Sequence, residues 1–120
     1  MSTESRVLRM RLDQCTVASV LTVGGEVDAA SAPQLRAGVE RALGAEPPLL
    51  VLDLSDVAFF GSAGLSVLLS AAEAMSPGVL RVVASPQVRR PIEVTGLDEV
   101  LAVFGTLDGA LATDVDPSVA

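Results

Sequence analysis

The sequence holds 120 residues, half of them apolar, and carries a net charge of −7. That length supports one hydrophobic core and a single domain over residues 1–120, and the acidity, with no basic cluster beyond Arg89-Arg90, removes the electrostatic footprint of a nucleic-acid or anionic-membrane binder. The chain contains no His, Lys, Tyr, Trp or Asn, so imidazole-activated nucleophiles, P-loop lysines and Schiff-base chemistry drop out together, and one cysteine without histidine gives no structural zinc site.

Arg6 to Asp13 and Cys15 to Val23 alternate apolar and polar residues, which predicts two strands joined as an antiparallel hairpin. Within that alternation Cys15 reads as a buried structural thiol, and alone it forms no internal disulfide. The opening residues lack the apolar segment of a secretory signal, and no apolar run reaches about eighteen residues, so the expected setting is the cytoplasm without membrane insertion. Gly24-Gly25 breaks the strand pattern. Ser31-Ala32-Pro33-Gln34 then combines capping-box spacing with proline in a first helical turn, and Leu35, Val39 and Leu43 follow at helical intervals to an end near Gly44.

After Pro47-Pro48, "LLVLDL" is the continuous apolar run of a central strand covered on both faces. Leu65, Leu68, Leu69, Ala72 and Met75 form the stripe of a second helix, which Pro77-Gly78 terminates. "VLRVVAS" supplies another strand and Ser85-Pro86 a helix start, with Val88, Ile92 and Leu97 inward; Pro91 predicts a kink there, or a helix beginning only at Pro91. "LAVF" forms a last strand and Leu107 to Thr113 a last helix, before a frayed tail over residues 114–120. The alternation predicts an α/β fold, a mixed sheet of about five strands with about four helices packed on it.

The segment "LDLSDVAFFGSAGLSVLL" places Gly61-Ser62-Ala63-Gly64 at a strand-to-helix joint, where open α/β sheets build their sites. Ser62 reads there as an N-cap, its hydroxyl accepting a helical N–H for about 1 kcal/mol. Local sequence favours that cap; a second, sharper reading makes Ser62 a carrier of switchable charge, because a helix N-terminus tolerates phosphate and phosphorylation adds roughly −1.5 to −2 charges. The two readings are compatible. Gly61 and Gly64 either accommodate the turn or keep its flanks small enough for a partner to approach. "GSAG" has the spacing of neither a P-loop nor a dinucleotide fingerprint.

Two segments resemble the bacterial anti-anti-sigma factors (anti-sigma factor antagonists) of the STAS domain family. "VLDLSDVAFFGSAGLSVLL" is similar to the family's apolar strand and D-S-[SA]-G-L turn, and "GEVDAASAPQLRAGV" to its G-E-[LIV]-D segment. The flanking "SPQVRRPIEVTGLDEVLAVF" agrees with its late helix and last strand, so the likeness spans about Arg6 to Thr113. The resemblance implies a transcription-regulating protein that binds an anti-sigma factor with a GHKL-type serine kinase fold and so releases a sigma factor. It further implies phosphorylation by that kinase on Ser62, which switches binding off, and restoration by a PP2C-type phosphatase. By position, Asp28, Ser31, Phe60, Gly61, Ser62, Ala63, Gly64 and Ser66 would form the partner surface, with no catalytic residue, metal or cofactor. Gly61 departs from the pattern, which often has aspartate before the acceptor serine.

Two other readings stay open. One is a scaffold, or a subunit of a regulatory or lipid-transport complex, in which Ser62 is only a cap. The other is a small enzyme using Asp53, Asp56 or Asp28 as an acid–base pair.

Overall fold

The structure, a computed structural model, describes residues 8–76 and 79–112. Five strands lie in the order β1 (Arg9–Gln14), β2 (Ser19–Val27), β3 (Leu50–Phe60), β4 (Leu80–Ala84) and β5 (Ala102–Phe104). The β1–β2 pair is antiparallel and every other pair is parallel. Helices α1 (Ala32–Gly44), α2 (Ser62–Ala74), α3 (Pro86–Val94) and α4 (Leu107–Ala112) make the connections or close the chain, and a 3-10 turn spans Leu97–Glu99. This is the mixed five-stranded sheet with four helices that the alternation predicts. Residues 6 and 7, Pro77-Gly78, Thr113 and the 114–120 tail lie outside the described residues.

The pleat sorts the side chains. Leu50, Leu52 and Leu54 of β3 face one side with Leu21, Val23, Leu80, Val82 and Ala84, where α1, α2 and α3 add Leu35, Val39, Leu68, Val88 and Ile92. Each fully buried leucine or isoleucine in that layer contributes about 1.5–3 kcal/mol relative to exposure. Val51 and Val83 face the other side and meet Ala110 of α4 with Phe104 and Leu107. Arg81 holds α4 there, its Nη1 donating to the Ala110 carbonyl at 2.6 Å and its guanidinium 5.9 Å from the Phe104 ring centroid.

Several local features differ from the sequence reading. The hairpin is shorter, because residues 15–18 make the turn: Cys15 N–H and Sγ both donate to the Ala18 carbonyl, at 2.9 and 3.2 Å. Cys15 is therefore exposed, not a buried strand thiol. Gly24-Gly25 do not end β2; they pair with Asp56 and Val57 of β3, and Gly25 takes the positive φ of 104° open to glycine. Pro91 does not break or delay α3, which starts at Pro86 and runs through it. Ser85 caps that helix by accepting the Val88 N–H at 3.3 Å while donating to the Val57 carbonyl at 3.0 Å. In a helix this short, Pro91 removes a single interior donor.

The second helix buries Leu68 and packs Leu65, Ala72 and Met75 against the core as expected, with Gly64, Val67 and Ala71 at the centre of the contact; only Leu69 of the expected stripe is exposed. Leu97 sits in the 3-10 turn and packs only at the edge of the core.

Strand β3 carries an irregularity that positions the site. Between Thr22–Asp53 and Gly24–Asp56, and again between Gly25–Val57 and Glu26–Phe59, β3 advances one residue further than β2. These are two bulges. They keep Val57 and Phe60 in the core alongside Leu54, a spacing of three where a regular pleat gives two.

Candidate interaction site at the carboxyl end of the sheet

Strands β2 and β3 end side by side, and Gly61 N–H donates to the Val27 carbonyl at 2.9 Å. That bond places the loop after β2, Asp28 to Ser31, beside the turn that opens α2. The loop is tied by its own hydrogen bonds. Asp28 Oδ1 accepts the backbone N–H groups of Ala30 and Ser31, both at 3.0 Å, and the Asp28 carbonyl accepts Ala32 N–H at 2.8 Å. The Ser31 hydroxyl accepts Asp28 N–H at 2.9 Å and offers its proton to the Glu26 carbonyl at 2.9 Å or Asp28 Oδ1 at 3.1 Å. Backbone and hydroxyl donation from Ser31, with a smaller share from Ala30, holds the exposed Asp28 carboxyl below its ordinary value. Ser31 thus makes no capping box with α1, because its hydroxyl is already committed to the loop.

At the start of α2, Gly61 is the N-cap and Ser62 the first helical residue. The N-cap expectation for Ser62 is corrected: a first-turn side chain points away from the N–H groups that an N-cap oxygen would reach. Gly64 and Leu65 donate back to the Gly61 carbonyl at 3.0 and 3.2 Å. Among the described residues the Ser62 hydroxyl makes no hydrogen bond, and the side chain is exposed. Ser66, one turn on, is also exposed, with its hydroxyl on the Ser62 carbonyl at 3.3 Å. Ala63 and Ser66 border a shallow groove of about 400 Å³ between α1 and α2, whose α1 side carries Ala32, Pro33, Arg36 and Glu40.

Phe60 and Gly64, expected on the partner surface, are turned inward. Phe60 is 4 % exposed, and a β-carbon at position 64 would lie 2.8 Å from both Phe60 Cζ and Val27 Cγ1. Gly64 is what lets α2 descend onto the strand ends. Phe59 is the exposed ring, 51 % accessible, and the sequence reading missed it. A bulge decides which of two adjacent phenylalanines points out, and no periodicity signals it.

Of the three acids of the enzyme reading, Asp28 lies apart from Asp56, and Asp53 is committed to its own turn. Asp53, 8 % exposed, is paired in register with Thr22, and its Oδ1 accepts both the N–H and the hydroxyl of Ser55. Asp56 lies opposite Gly24, whereas Asp28 follows Val27 opposite Phe60. Four strand residues separate those levels, about 13 Å.

A profile of the STAS domain matches residues 9–110. The chain belongs to the STAS domain family. As a STAS domain it is 41 % identical over 95 residues to the anti-sigma-F factor antagonist RsfB of Mycobacterium tuberculosis, covering 78 % of each chain. The crystal structure of an anti-sigma factor antagonist from Mycobacterium paratuberculosis superposes with a TM-score of 0.86 at 37 % identity, over 92 % of this chain and 97 % of the other. The Bacillus cell fate determinant SpoIIAA in its phosphorylated form shares the fold, with a TM-score of 0.63 at 19 % identity over 88 % and 98 % of the two chains. No helix among the described residues of this STAS domain is long and apolar enough to cross a membrane.

Proposed function

We propose that this STAS domain is an anti-sigma factor antagonist, docking an anti-sigma factor through the Ser62 turn and so freeing a sigma factor. Its likeness to the mycobacterial antagonists supports the class of partner. The observation that carries the switch is the Ser62 hydroxyl: exposed, without a hydrogen bond among the described residues, and flanked by the hydrogen-bonded Asp28 loop. A serine with no structural employment at an exposed helix start is open to a kinase. The partner would be an anti-sigma factor with a GHKL-type serine kinase fold that phosphorylates Ser62, and a PP2C-type phosphatase would reverse it, in the cytoplasm.

Phosphate would weaken docking by repulsion and by the cost of desolvating about two charges in the contact. Each 1.4 kcal/mol of that cost is about tenfold in affinity. The chain is then ligand and kinase substrate, and the transfer chemistry belongs to its partner.

The test uses purified anti-sigma-F factor, the class of protein named for the relative RsfB. Wild type and Ser62→Ala bind, Ser62→Asp binds at least about tenfold more weakly, and incubation with kinase and ATP puts phosphate on the Ser62 peptide. Equal affinity for all three proteins, with no phosphate at Ser62, rejects the switch.

A further inference from the structure

Strand β3 outruns its neighbour: pairing with β4 stops at Leu54–Ala84, while β3 continues to Phe60. The edge left open is approached by the first turns of α3, which Ser85 anchors to the Val57 carbonyl. Between them lies a cleft of about 440 Å³, lined by Ala58, Phe59, the edge of Phe60, Pro86, Gln87, Arg90 and Pro91. Its walls are largely apolar, and one cation stands at it.

Three observations assign the cleft a role. Phe59 is the most exposed of the chain's three aromatic residues; Phe60 is in the core and Phe104 is held partly buried under Arg81. A half-exposed aromatic ring is costly to leave in water and is the type of side chain enriched at interface centres. The Phe59 ring also borders the Ser62 turn, since a β-carbon on Gly61 would lie 3.3 Å from Phe59 Cε2. Finally, Arg89 is engaged with Glu93 at 3.8 Å, whereas exposed Arg90 makes no ion pair or side-chain hydrogen bond among the described residues. In a chain of net charge −7, an unengaged guanidinium beside an apolar cleft matches a carboxylate brought by a partner.

We propose that the docking face extends from Ser62 across Phe59 into this cleft, and that the anti-sigma factor fills it with an apolar side chain lying next to a carboxylate that meets Arg90. This rests on the antagonist reading above and adds to it the half of the contact that phosphate does not touch. Phe59 supplies apolar area, and Arg90 supplies orientation and charge selection.

The test titrates purified anti-sigma-F factor into wild type, Phe59→Ala, Arg90→Glu, Arg90→Gln, Ser62→Asp and Arg41→Glu, the last altering an exposed arginine in the final turn of α1 at the opposite end of the sheet. Phe59→Ala and Arg90→Glu each weaken binding about tenfold or more, and Arg41→Glu stays within about twofold. Between roughly 50 and 300 mM salt, Arg90→Gln loses less affinity than wild type, because it has no charge pair to screen. Amide shifts on binding appear at residues 58–60 and 87–90, a readout that does not depend on any variant folding. If Phe59→Ala and Arg90→Glu bind like wild type while Ser62→Asp fails, the cleft proposal is wrong and the antagonist reading survives. Equal losses for Arg90→Glu and Arg41→Glu reduce the effect to net charge and also overturn the cleft. A wild-type chain that does not bind at all removes the antagonist reading and the cleft with it.

Discussion

The Phe60 ring closes over Gly64 so tightly that a β-carbon added to the glycine would sit 2.8 Å from Phe60 Cζ. Gly64→Ala must therefore push the first turn of α2 away from the strand ends or force Phe60 off its rotamer. Overpacking of that kind costs about 1–3 kcal/mol, more than the helix propensity of alanine returns. Urea unfolding should show the loss, and a variant as stable as wild type would mean that the joint is loosely packed.

Ser62→Asp should separate stability from binding. The first turn of α2 contains no acidic residue, and a carboxylate there interacts with the helix dipole for about 0.3–1 kcal/mol. Thermal unfolding should thus rise slightly in the same protein whose affinity for anti-sigma-F factor falls. A destabilised Ser62→Asp would attribute its binding loss to misfolding instead.

Position 61 tolerates the aspartate that the family pattern often carries. Gly61 has φ −92° and ψ −175°, extended backbone that any residue adopts, and the nearest obstacle to a β-carbon is the Phe59 ring, which is exposed and free to shift. An N-cap aspartate is favourable by a few tenths of a kcal/mol over glycine, so Gly61→Asp should match wild type within about 1 kcal/mol in urea unfolding. A larger loss would show that the turn requires glycine.

Asp28 should titrate below the ordinary 3.8 when followed by carboxyl NMR, chiefly because Ser31 donates to it from backbone and hydroxyl. Ser31→Ala keeps the backbone donor and removes the hydroxyl, moving the titration back toward 3.8. The sign for stability follows: a carboxyl whose pKa is lower folded than unfolded contributes stability above its unfolded value, and that contribution disappears as pH falls through the folded one. Asp28→Asn, which keeps an acceptor without a titrating charge, should therefore flatten the acid limb of the stability profile. An unchanged limb would show that Asp28 titrates alike in folded and unfolded chains.

Element order was legible from punctuation and period. Pro47-Pro48, Ser85-Pro86 and the apolar runs at Leu50 and Leu80 mark their elements because proline and continuous burial leave unambiguous traces. The joint at Gly61 to Gly64 was legible too, as a strand-to-helix turn. What the sequence hid lies in competition between local signals. Ser31 carries capping-box spacing, but Asp28 three residues earlier offers acceptor and donor first, so the hydroxyl turns to the loop. Gly24-Gly25 punctuate most chains, yet here they pass beside the bulged stretch of β3, where glycine suits close backbone approach. Bulges leave no periodic signature, so which of Phe59 and Phe60 faces water followed only from the pairing register.

Those bulges set a rule for how this surface can diverge among relatives. Position 60 is bound by the volume of the interior, whereas position 59, half exposed, carries a far weaker packing constraint. On the proposed docking face, substitution at 59 or 90 would retune recognition while leaving the buried core in place. Inserting or deleting one residue between Leu54 and Phe60 would instead exchange the two faces of the strand, sending the outer ring into the interior and the inner one into water. Length in this stretch is thereby fixed by folding, and partner choice is left to side-chain identity alone.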